Sequence, residues 1–352
     1  MPEVAPPGTD SPSPQARGWV VIGEQGSCDG GTGGQAVVGL DDAARITGWK
    51  AKPQGWCRGE ICRPSAQLAS GDQTVGIVAL DVAQQIGAVV VVDREHRIVS
   101  IGGSESTPAI APLEVAPNVT LPRMNGERGG LLDDTDGKRM VVAFSSWCGC
   151  RYDLPLWQKF ANELDGPSLQ IVAVAIDQHP EDVAPWVEDV DFDVFLDPDR
   201  SFCDAYGITN VPTVVWIDAD GEVVRSNSIE FADDTFVEFH GVQSGPHLDQ
   251  LRSWVVDDQI PADASALVKD RRPATAEERE GRAAFRIATE LAERGDRPAA
   301  TEWVARAEAL APDDFTIWRA GLQLVGEDPF GPKFFERYEA WKERTGQAPS
   351  PI

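Results

Sequence analysis

Apolar and polar positions divide the chain into three parts with different periodicities. Residues 18–105 alternate short strand-like and helix-like runs, residues 117–258 alternate stronger buried-strand runs with helices, and residues 270–346 carry apolar positions at helical spacing. A stretch rich in Pro and Ser at 1–17 predicts a disordered tail, and a second proline-rich stretch at 106–116 predicts a linker. We therefore expect an α/β protein with a helical C-terminal segment.

The first part predicts an α/β domain of a type that the sequence does not identify. Its strand patterns lie at 18–23, 35–40, 89–93 and 97–101, and its helix patterns at 41–49 and 81–86. The last two strands form a predicted hairpin, because only Arg94, Glu95 and His96 separate them. No motif in this part indicates a function.

In the second part, strands alternate with helices and the last two strands form a predicted hairpin. An apolar run ends at Phe144. Further strand patterns lie at 169–177, 194–198, 214–217 and 222–225, and helix patterns lie at 180–190, 201–206 and 246–256. The connection at 226–245 is long, and we expect it to cover one edge of the site described next.

Two cysteines follow the first buried strand of this part. Residues 141–155 read VVAFSSWCGCRYDLP, and apolar residues at helical spacing run from Leu154 to Leu164 directly after the cysteines. A thiol at the start of a helix lies near unpaired backbone N–H groups and the positive end of the helix dipole, and both favour the thiolate. Cys148 is therefore the candidate nucleophile, and the sequence predicts cysteine redox chemistry.

Several separated segments of the second part resemble the TlpA/ResA-like redoxins, which have a thioredoxin fold. In chain order they are residues 117–136, the pair Gly137-Lys138, the block 147–155, the segment 207–213 (GITNVPT) and the turn 217–221. The block 147–155 resembles the family's W-C-x-x-C-R-x-E-L-P. The resemblance covers about residues 115–256. It implies a thioredoxin-like fold and a redox-active cysteine pair in that stretch.

The resemblance also assigns roles to individual residues. Cys148 would attack the substrate, and Cys150 would release the mixed disulfide by intramolecular attack. The supporting residues would be Trp147, Gly149, Arg151, Val211, Pro212 and Thr213. Pro212 would be cis, although its local sequence also fits a trans proline at the start of a strand. Trp147 would shield the thiols, although core packing is an equally ordinary role.

The cysteine motif departs from the family by one residue. The family has two residues between its cysteines, whereas Gly149 stands alone here. A bridge is feasible, because Cα atoms two positions apart can lie within the usual window of about 4.4–6.8 Å. Side chains at i and i+2 of a helix point to different faces, so we expect a non-helical Cys148 and a permissive Gly149. The family's reduction potential does not carry over.

The polar residues after the pair act in opposite directions. Arg151 could favour the thiolate. An exposed Asp153 would oppose it only weakly, because salt screens solvent-exposed charges within about 8–10 Å. We expect no metal and no cofactor, since zinc usually takes four ligands and no matching second pair lies in this domain.

The remaining cysteines and histidines carry weaker signals. Cys203 lies on a predicted short helix and is interpreted as a buried small hydrophobe rather than a third redox centre. Cys57 and Cys62 could form a second dithiol, and Cys28 lies in a Gly-rich stretch; we favour a structural or incidental role for all three. Surface or loop placement is expected for the four histidines, His96, His179, His240 and His247.

The third part resembles a tetratricopeptide repeat. Its helix patterns lie at 276–294, 298–310, 314–325 and 331–344, with small residues where helices would cross. One such unit is fewer than the three that a solenoid needs, so we expect it to pack on the redoxin domain or on another chain. A stabilising appendage and a partner-binding groove both fit residues 270–346.

Net charge and hydropathy argue against several classes of binding partner. The net charge of −26 argues against nucleic acid or an anionic membrane surface. Residues 131–260 hold 26 acidic and 7 basic residues, which fits a solvated face or, as the weaker alternative, a basic protein partner. No apolar run approaches the length of about 20 residues that spans a membrane, and the N-terminus lacks an export-signal pattern. We therefore expect no membrane partner and a cytoplasmic location.

These patterns predict a thiol–disulfide oxidoreductase that reduces protein disulfides with its Cys-Gly-Cys pair. Its substrate would be a protein or small-molecule disulfide or a peroxide, and a thiol system would donate the electrons. A redoxin-type thiol peroxidase is one alternative, although P-x-x-x-T/S-x-x-C fits neither cysteine: Cys148 would need a proline at Val141, and Cys150 a hydroxyl at Trp147. A redox-regulated scaffold that binds a partner through residues 270–346 is the other alternative.

Overall fold

Two compact units make up the chain, Met1–Ser104 and Glu105–Ile352, and each is described by itself. The computed structural model describes residues 17–59, 61–65, 68, 76–104, 115–133, 137–164, 169–264 and 274–345. The predicted tail and linker therefore lie almost wholly outside the described residues. None of the described helices is long and apolar enough to cross a membrane.

The first unit contains nine strands and two helices among its described residues. They are β1 (Val20–Gly23), β2 (Gly26–Asp29), β3 (Val37–Val38), α1 (Leu40–Thr47), β4 (Lys50–Lys52), β5 (Gly55–Arg58), β6 (Ile61–Arg63), β7 (Ile77–Val78), α2 (Ala79–Ile86), β8 (Ala88–Asp93) and β9 (Ile98–Ser104). A four-stranded sheet runs in the order β2-β1-β9-β8, with β1 parallel to β9. The predicted hairpin of β8 and β9 is confirmed.

Sequence patterning missed the three-stranded sheet β4-β5-β6 of this unit. Its strands read KAK, GWCR and ICR, which contain one β-branched residue and no sustained alternation of apolar and polar positions. Cys57 and Cys62 lie opposite each other on β5 and β6 and are joined by a disulfide. A disulfide between neighbouring strands therefore accompanies strand pairing that the hydrophobic pattern did not predict.

The second unit is built around a five-stranded sheet in the order β14-β13-β12-β15-β16. Its strands are β10 (Thr120–Pro122), β11 (Arg128–Gly130), β12 (Arg139–Phe144), β13 (Gln170–Ala175), β14 (Asp193–Leu196), β15 (Thr213–Ile217) and β16 (Val223–Ser228). Strands β12, β13 and β14 are parallel, while β15 and β16 are antiparallel to their neighbours. This is the thioredoxin-like sheet that the sequence predicted.

Helices cover both faces of that sheet. They are α3 (Leu154–Asn162), α4 (Pro180–Val187), α5 (Ser201–Tyr206), α6 (Val237–His240), α7 (Ser244–Asp257), α8 (Ala276–Glu293), α9 (Arg297–Leu310), α10 (Phe315–Leu324) and α11 (Pro332–Thr345). Alternate residues of β12 point to opposite faces. Met140 and Val142 pack with α3 and α7, whereas Val141 and Ala143 share a core with α4, α5 and helices near the C-terminus.

The four helices α8–α11, which we call the helical segment, belong to the same compact unit as the sheet. Phe285, Val304 and Ile317 lie in one hydrophobic cluster with Phe202 and Tyr206 of α5. The predicted helix patterns of this segment are confirmed within two residues at each end. The likeness to a tetratricopeptide repeat and the division into domains at 117–258 and 270–346 stay predictions, and the shared cluster weighs against independent folding of either stretch.

Candidate active site

The cysteine pair lies between the end of β12 and the start of α3. Cys148 has extended backbone angles, φ −95° and ψ 146°, and caps a 3-10 turn at Gly149–Asp153 that leads into α3. Its sulfur accepts a hydrogen bond from the Cys150 backbone N–H at 3.4 Å. The expectation of a non-helical Cys148 is therefore confirmed. Both cysteines are free thiols in this structure.

Cys148 lies in an environment that favours its thiolate. Burial, which leaves the residue 2% exposed, acts to raise its pKa. The hydrogen bond from the Cys150 thiol, the positive charge of Arg319 and the Cys150 backbone N–H together outweigh burial and lower the pKa to about 6. Burial and the neighbouring Cys148 raise the pKa of Cys150 well above its ordinary value. One thiol is thus poised to attack while the other keeps its proton.

Arg319 was missed by the sequence reasoning. It belongs to α10, is 1% exposed, and places its guanidinium over the rings of Trp147 at 4.9 Å and Phe334 at 4.7 Å. The one signal in the sequence is its position on the apolar face of α10, four residues after Phe315. An arginine on such a face needs a buried partner, and the sequence alone does not say which.

The loop before β15 forms the opposite wall of the pair. The peptide bond between Val211 and Pro212 is cis, as expected. When it is protonated, the Cys148 thiol donates to the Val211 carbonyl at 3.6 Å, and the Thr213 hydroxyl donates to the Asn210 carbonyl at 2.8 Å. The loop is fixed on its other side by α10, whose first N–H donates to the carbonyl of Thr209 at 2.8 Å. Helix α10 and the cysteine pair therefore contact the same loop.

The predicted exposure of Asp153 was wrong, whereas the effect of Arg151 on the thiolate stays a prediction. Arg151 lies between the rings of Tyr152 and Trp186 and donates to the Cys148 carbonyl at 3.0 Å, while the arginine charge that lowers the Cys148 pKa most is that of Arg319. Asp153 is 5% exposed rather than solvated, and it accepts from the Ala232 N–H at 2.9 Å.

The burial of Asp153 changes its chemistry. Burial acts first and the negative charges of Asp233 and Cys148 add to it, so that the pKa of Asp153 rises to about 7 despite the backbone hydrogen bonds that oppose the rise. The charge of Asp153 in turn helps to raise the pKa of Cys150. A buried carboxyl group that titrates near neutrality therefore acts on both thiols.

The long connection after β16 does border the pair, as expected. The ring of Phe236 would lie 3.4 Å from a Cβ added at Gly149, which is ordinary van der Waals contact. Phe236 also stacks at a tilt against Tyr152, whose ring contacts Trp186. Tyr152 and Phe236 are exposed, so aromatic side chains lie at the protein surface on the Gly149 side of the pair.

The other candidate residues lie apart from this site. Cys203 is fully buried, and burial raises its pKa well above the ordinary value, in keeping with the predicted hydrophobic role. Burial, with help from Asp42, raises the pKa of Cys28 to about 11. His247 is buried against the backbone of Phe231, so its predicted surface placement was wrong. Within the described ranges, no group of three or more His, Cys, Asp or Glu side chains could hold a metal ion.

Comparisons with known proteins address the middle of the chain. Residues 112–226 match the AhpC/TSA family. The thiol-disulfide oxidoreductase ResA of Bacillus subtilis (strain 168) is 32% identical over 114 residues, which cover 31% of this chain and 63% of that protein. The protein of the same name from Halalkalibacterium halodurans is 27% identical over 130 residues, covering 36% and 73%.

A solved structure with likeness to this chain is the thioredoxin domain of a thiol-disulfide oxidoreductase from Bacteroides vulgatus. It is 20% identical, has a TM-score of 0.34, and covers 42% of this chain and 99% of that one. StoA from Bacillus subtilis is 21% identical, with a TM-score of 0.30 and coverage of 42% and 98%. The chain thus spans less than two thirds of the first ResA relative and nearly all of these two structures.

Proposed function

We propose that residues 112–226, which match the AhpC/TSA family, form a redoxin domain and that the protein is a thiol–disulfide oxidoreductase that reduces protein disulfides with Cys148 and Cys150. The observation that carries the proposal is the asymmetry of the pair. The pKa of Cys148 is lowered to about 6, whereas that of Cys150 is raised. Attack needs a thiolate and later resolution needs a second thiol nearby, and the pair supplies both.

The reaction follows from these positions. The Cys148 thiolate attacks one sulfur of the substrate disulfide, the substrate S–S bond breaks, and the other sulfur leaves as a thiolate that takes up a proton. Cys150 then loses its proton and attacks the Cys148 sulfur. This step breaks the mixed disulfide, releases the second substrate thiol and leaves a Cys148–Cys150 disulfide. An external dithiol restores the reduced pair by the same exchange.

Asp153 is the group placed to accept the proton of Cys150. It is buried close enough to both thiols to influence their titration, and its own pKa of about 7 suits proton transfer near neutral pH. In the mixed disulfide, Cys148 no longer carries a negative charge. Cys150 would lose its proton to Asp153 at that stage and become the attacking thiolate.

A thiol peroxidase is the second candidate, and the burial of Cys148 favours it. At 2% exposure, the sulfur is more accessible to a small peroxide than to a protein disulfide in the form described. The thiolate would attack the peroxide O–O bond, giving a sulfenic acid on Cys148 and an alcohol or water. Cys150 would then condense with the sulfenic acid to give the disulfide and water.

The test uses Cys150→Ser in the full chain, with Cys203→Ser as a matched control that changes a buried thiol away from the pair. Incubation with a disulfide-containing protein should trap a mixed disulfide on Cys148, and Cys148→Ser should abolish both trapping and turnover. Incubation with peroxide should instead leave a sulfenic acid on Cys148 if the peroxidase reaction is the faster one. Retained reductase activity in Cys148→Ser, or adducts on Cys203, would refute the assignment.

The cytoplasmic location and a partner for residues 270–346 stay predictions. Both follow from sequence patterns that the described geometry does not address. An electron-donating thiol system is part of the proposal, because the disulfide formed in each cycle must be reduced again.

A further inference from the structure

Arg319 differs from the other buried arginines of the helical segment in its partners. Arg282 pairs with Asp204 at 2.6 Å and with Asp314 at 2.9 Å, and Arg286 also pairs with Asp204. Arg319 is as deeply buried, yet within the described part of the chain it pairs with no carboxylate and makes no well-aligned hydrogen bond. A buried charge without a partner is strongly unfavourable, so the environment of Arg319 must supply an anion.

The surroundings of Arg319 identify the anion. Aromatic rings lie against the guanidinium, with Trp147 at 4.9 Å, Phe334 at 4.7 Å and Phe330 at 5.6 Å. Ring faces attract a cation but carry no net charge. Trp147 directly precedes Cys148 in the chain, and the positive charge of Arg319 lowers the pKa of Cys148.

We propose that Arg319 is the counter-ion of the Cys148 thiolate, so that the helical segment completes the redox site instead of only stabilising the fold. The proposal deepens the proposed function and rests on Cys148 being its nucleophile. Arg319 is a positioning residue in this scheme: it takes no proton and forms no bond to substrate. Without the helical segment, the buried Cys148 would lose this counter-ion.

The other charged groups around Cys148 do not provide this charge. Cys150 acts on it as a neutral hydrogen-bond donor, and Asp153 is a carboxyl group whose negative form opposes the thiolate. Arg151 has its guanidinium between Tyr152 and Trp186 and its hydrogen bond on the Cys148 carbonyl rather than on the sulfur. Arg319 is therefore the cation on which the buried thiolate depends.

The proposal makes the helical segment sensitive to redox state. When Cys148 and Cys150 form a disulfide, the negative charge disappears and Arg319 loses its counter-ion. If the contact with Arg319 stabilises the reduced pair, the reduced pair stabilises that contact by the same free energy, because linkage is reciprocal. Helix α10 should therefore be held more firmly in the reduced protein than in the oxidised one.

The test is a pH titration of the thiolate by its ultraviolet absorbance, which does not require a reagent to reach the buried sulfur. The full-length reduced protein is compared with Arg319→Met and Arg319→Lys, and subtraction of the Cys148→Ser signal isolates the Cys148 step. Arg319→Met should raise the midpoint by roughly one pH unit or more, while Arg319→Lys, which keeps the charge, should restore part of the shift. Arg337→Met is the matched control.

Arg337 suits that purpose because it lies over Trp318 in the same segment and pairs with Glu308, away from the cysteines. An Arg319→Met titration that matches the wild-type curve would overturn the proposal. So would Arg319→Met and Arg319→Lys shifting by the same amount, since a structural role alone predicts that result.

A second measurement needs no substitution and so does not depend on a variant that folds. Hydrogen exchange in the peptides of α10 is compared between the reduced and oxidised wild-type proteins, with α7 as the internal reference. Faster exchange in α10 after oxidation is expected, and equal exchange in both states would count against the counter-ion. Either result is independent of turnover, so loss of the proposed oxidoreductase activity and loss of this proposal can be told apart.

Discussion

Asp204 offers a direct test of what attaches the helical segment to α5. Its carboxylate on α5 accepts from Arg282 at 2.6 Å and also from Arg286, both on α8. Arg282 continues to Asp314, the residue that caps α10. Asp204→Asn keeps the shape of the side chain but removes its charge, so it should loosen both α8 and the start of α10.

The expected cost follows from the burial of the network. The Asp204 side chain is only 11% exposed, and although burial acts to raise its pKa, the charges of Arg286 and Arg282 outweigh it and lower the pKa. Removing one member of a buried ion pair typically costs about 3–5 kcal/mol, because its partner stays buried without compensation. Arg282 keeps Asp314, whereas Arg286 loses the carboxylate to which it donates. We therefore expect the lower end, about 3 kcal/mol.

Urea-dependent hydrogen exchange, followed in peptides of the second unit, measures this change without interference from the first unit. The control is Glu280→Gln, which removes a half-exposed pair with Arg306 at 2.8 Å between α8 and α9. Exposed pairs of this kind contribute about 0–1 kcal/mol. Asp204→Asn and Glu280→Gln should thus differ several-fold in their effect on the free energy of unfolding.

The pH dependence provides an independent check with a defined sign. Because the pKa of Asp204 is lower in the folded protein, its contribution is present above the unfolded value of about 3.9 and is lost as the pH falls through the folded value. The stability gap between wild type and Asp204→Asn should therefore narrow below about pH 4. A loss under about 1 kcal/mol at neutral pH, or a gap that widens in acid, would refute the reasoning.

Three further predictions concern the cysteines and their neighbours. The thiolate absorbance of Cys148, isolated by subtracting the signal of Cys148→Ser, should rise through a midpoint near pH 6; a midpoint near 9 would contradict the thiolate assignment. In protein that keeps Cys150, Asp153→Asn should slow the release of the second substrate thiol from the mixed disulfide and remove the step near pH 7 from the pH profile of that release, whereas an unchanged profile would exclude Asp153 as the proton acceptor. Replacing both Cys57 and Cys62 with serine should destabilise the first unit by about 2 kcal/mol, measured by hydrogen exchange, and leave the Cys148 titration unchanged.

Much of the fold could be predicted because its elements bury one regular stripe or face. Strand β12 alternates between two hydrophobic clusters, and helices α8–α11 carry apolar residues at helical spacing. Short strands such as β4 and β6 could not be predicted, because three residues are too few to establish a period. These strands pair with their nearest neighbours in the chain, and a disulfide joins β5 to β6.

The site was only partly predictable for a related reason. Cys148, Gly149 and Cys150 are adjacent in sequence, so a local motif identifies them. The predicted exposure of Asp153 was wrong, because exposure is decided by which later segment covers a residue, and the segment at Ala232 covers Asp153 here.

Arg319 lies 171 positions after Cys148, and no local pattern links the two. Helix α10 packs on the loop at Thr209, and its Arg319 guanidinium lies over the ring of Trp147, the residue before Cys148. The reactivity of the pair is therefore a property of the second unit as a whole. A chain ending before α10 would keep every residue of the cysteine motif and still lack the cation that its buried thiolate requires.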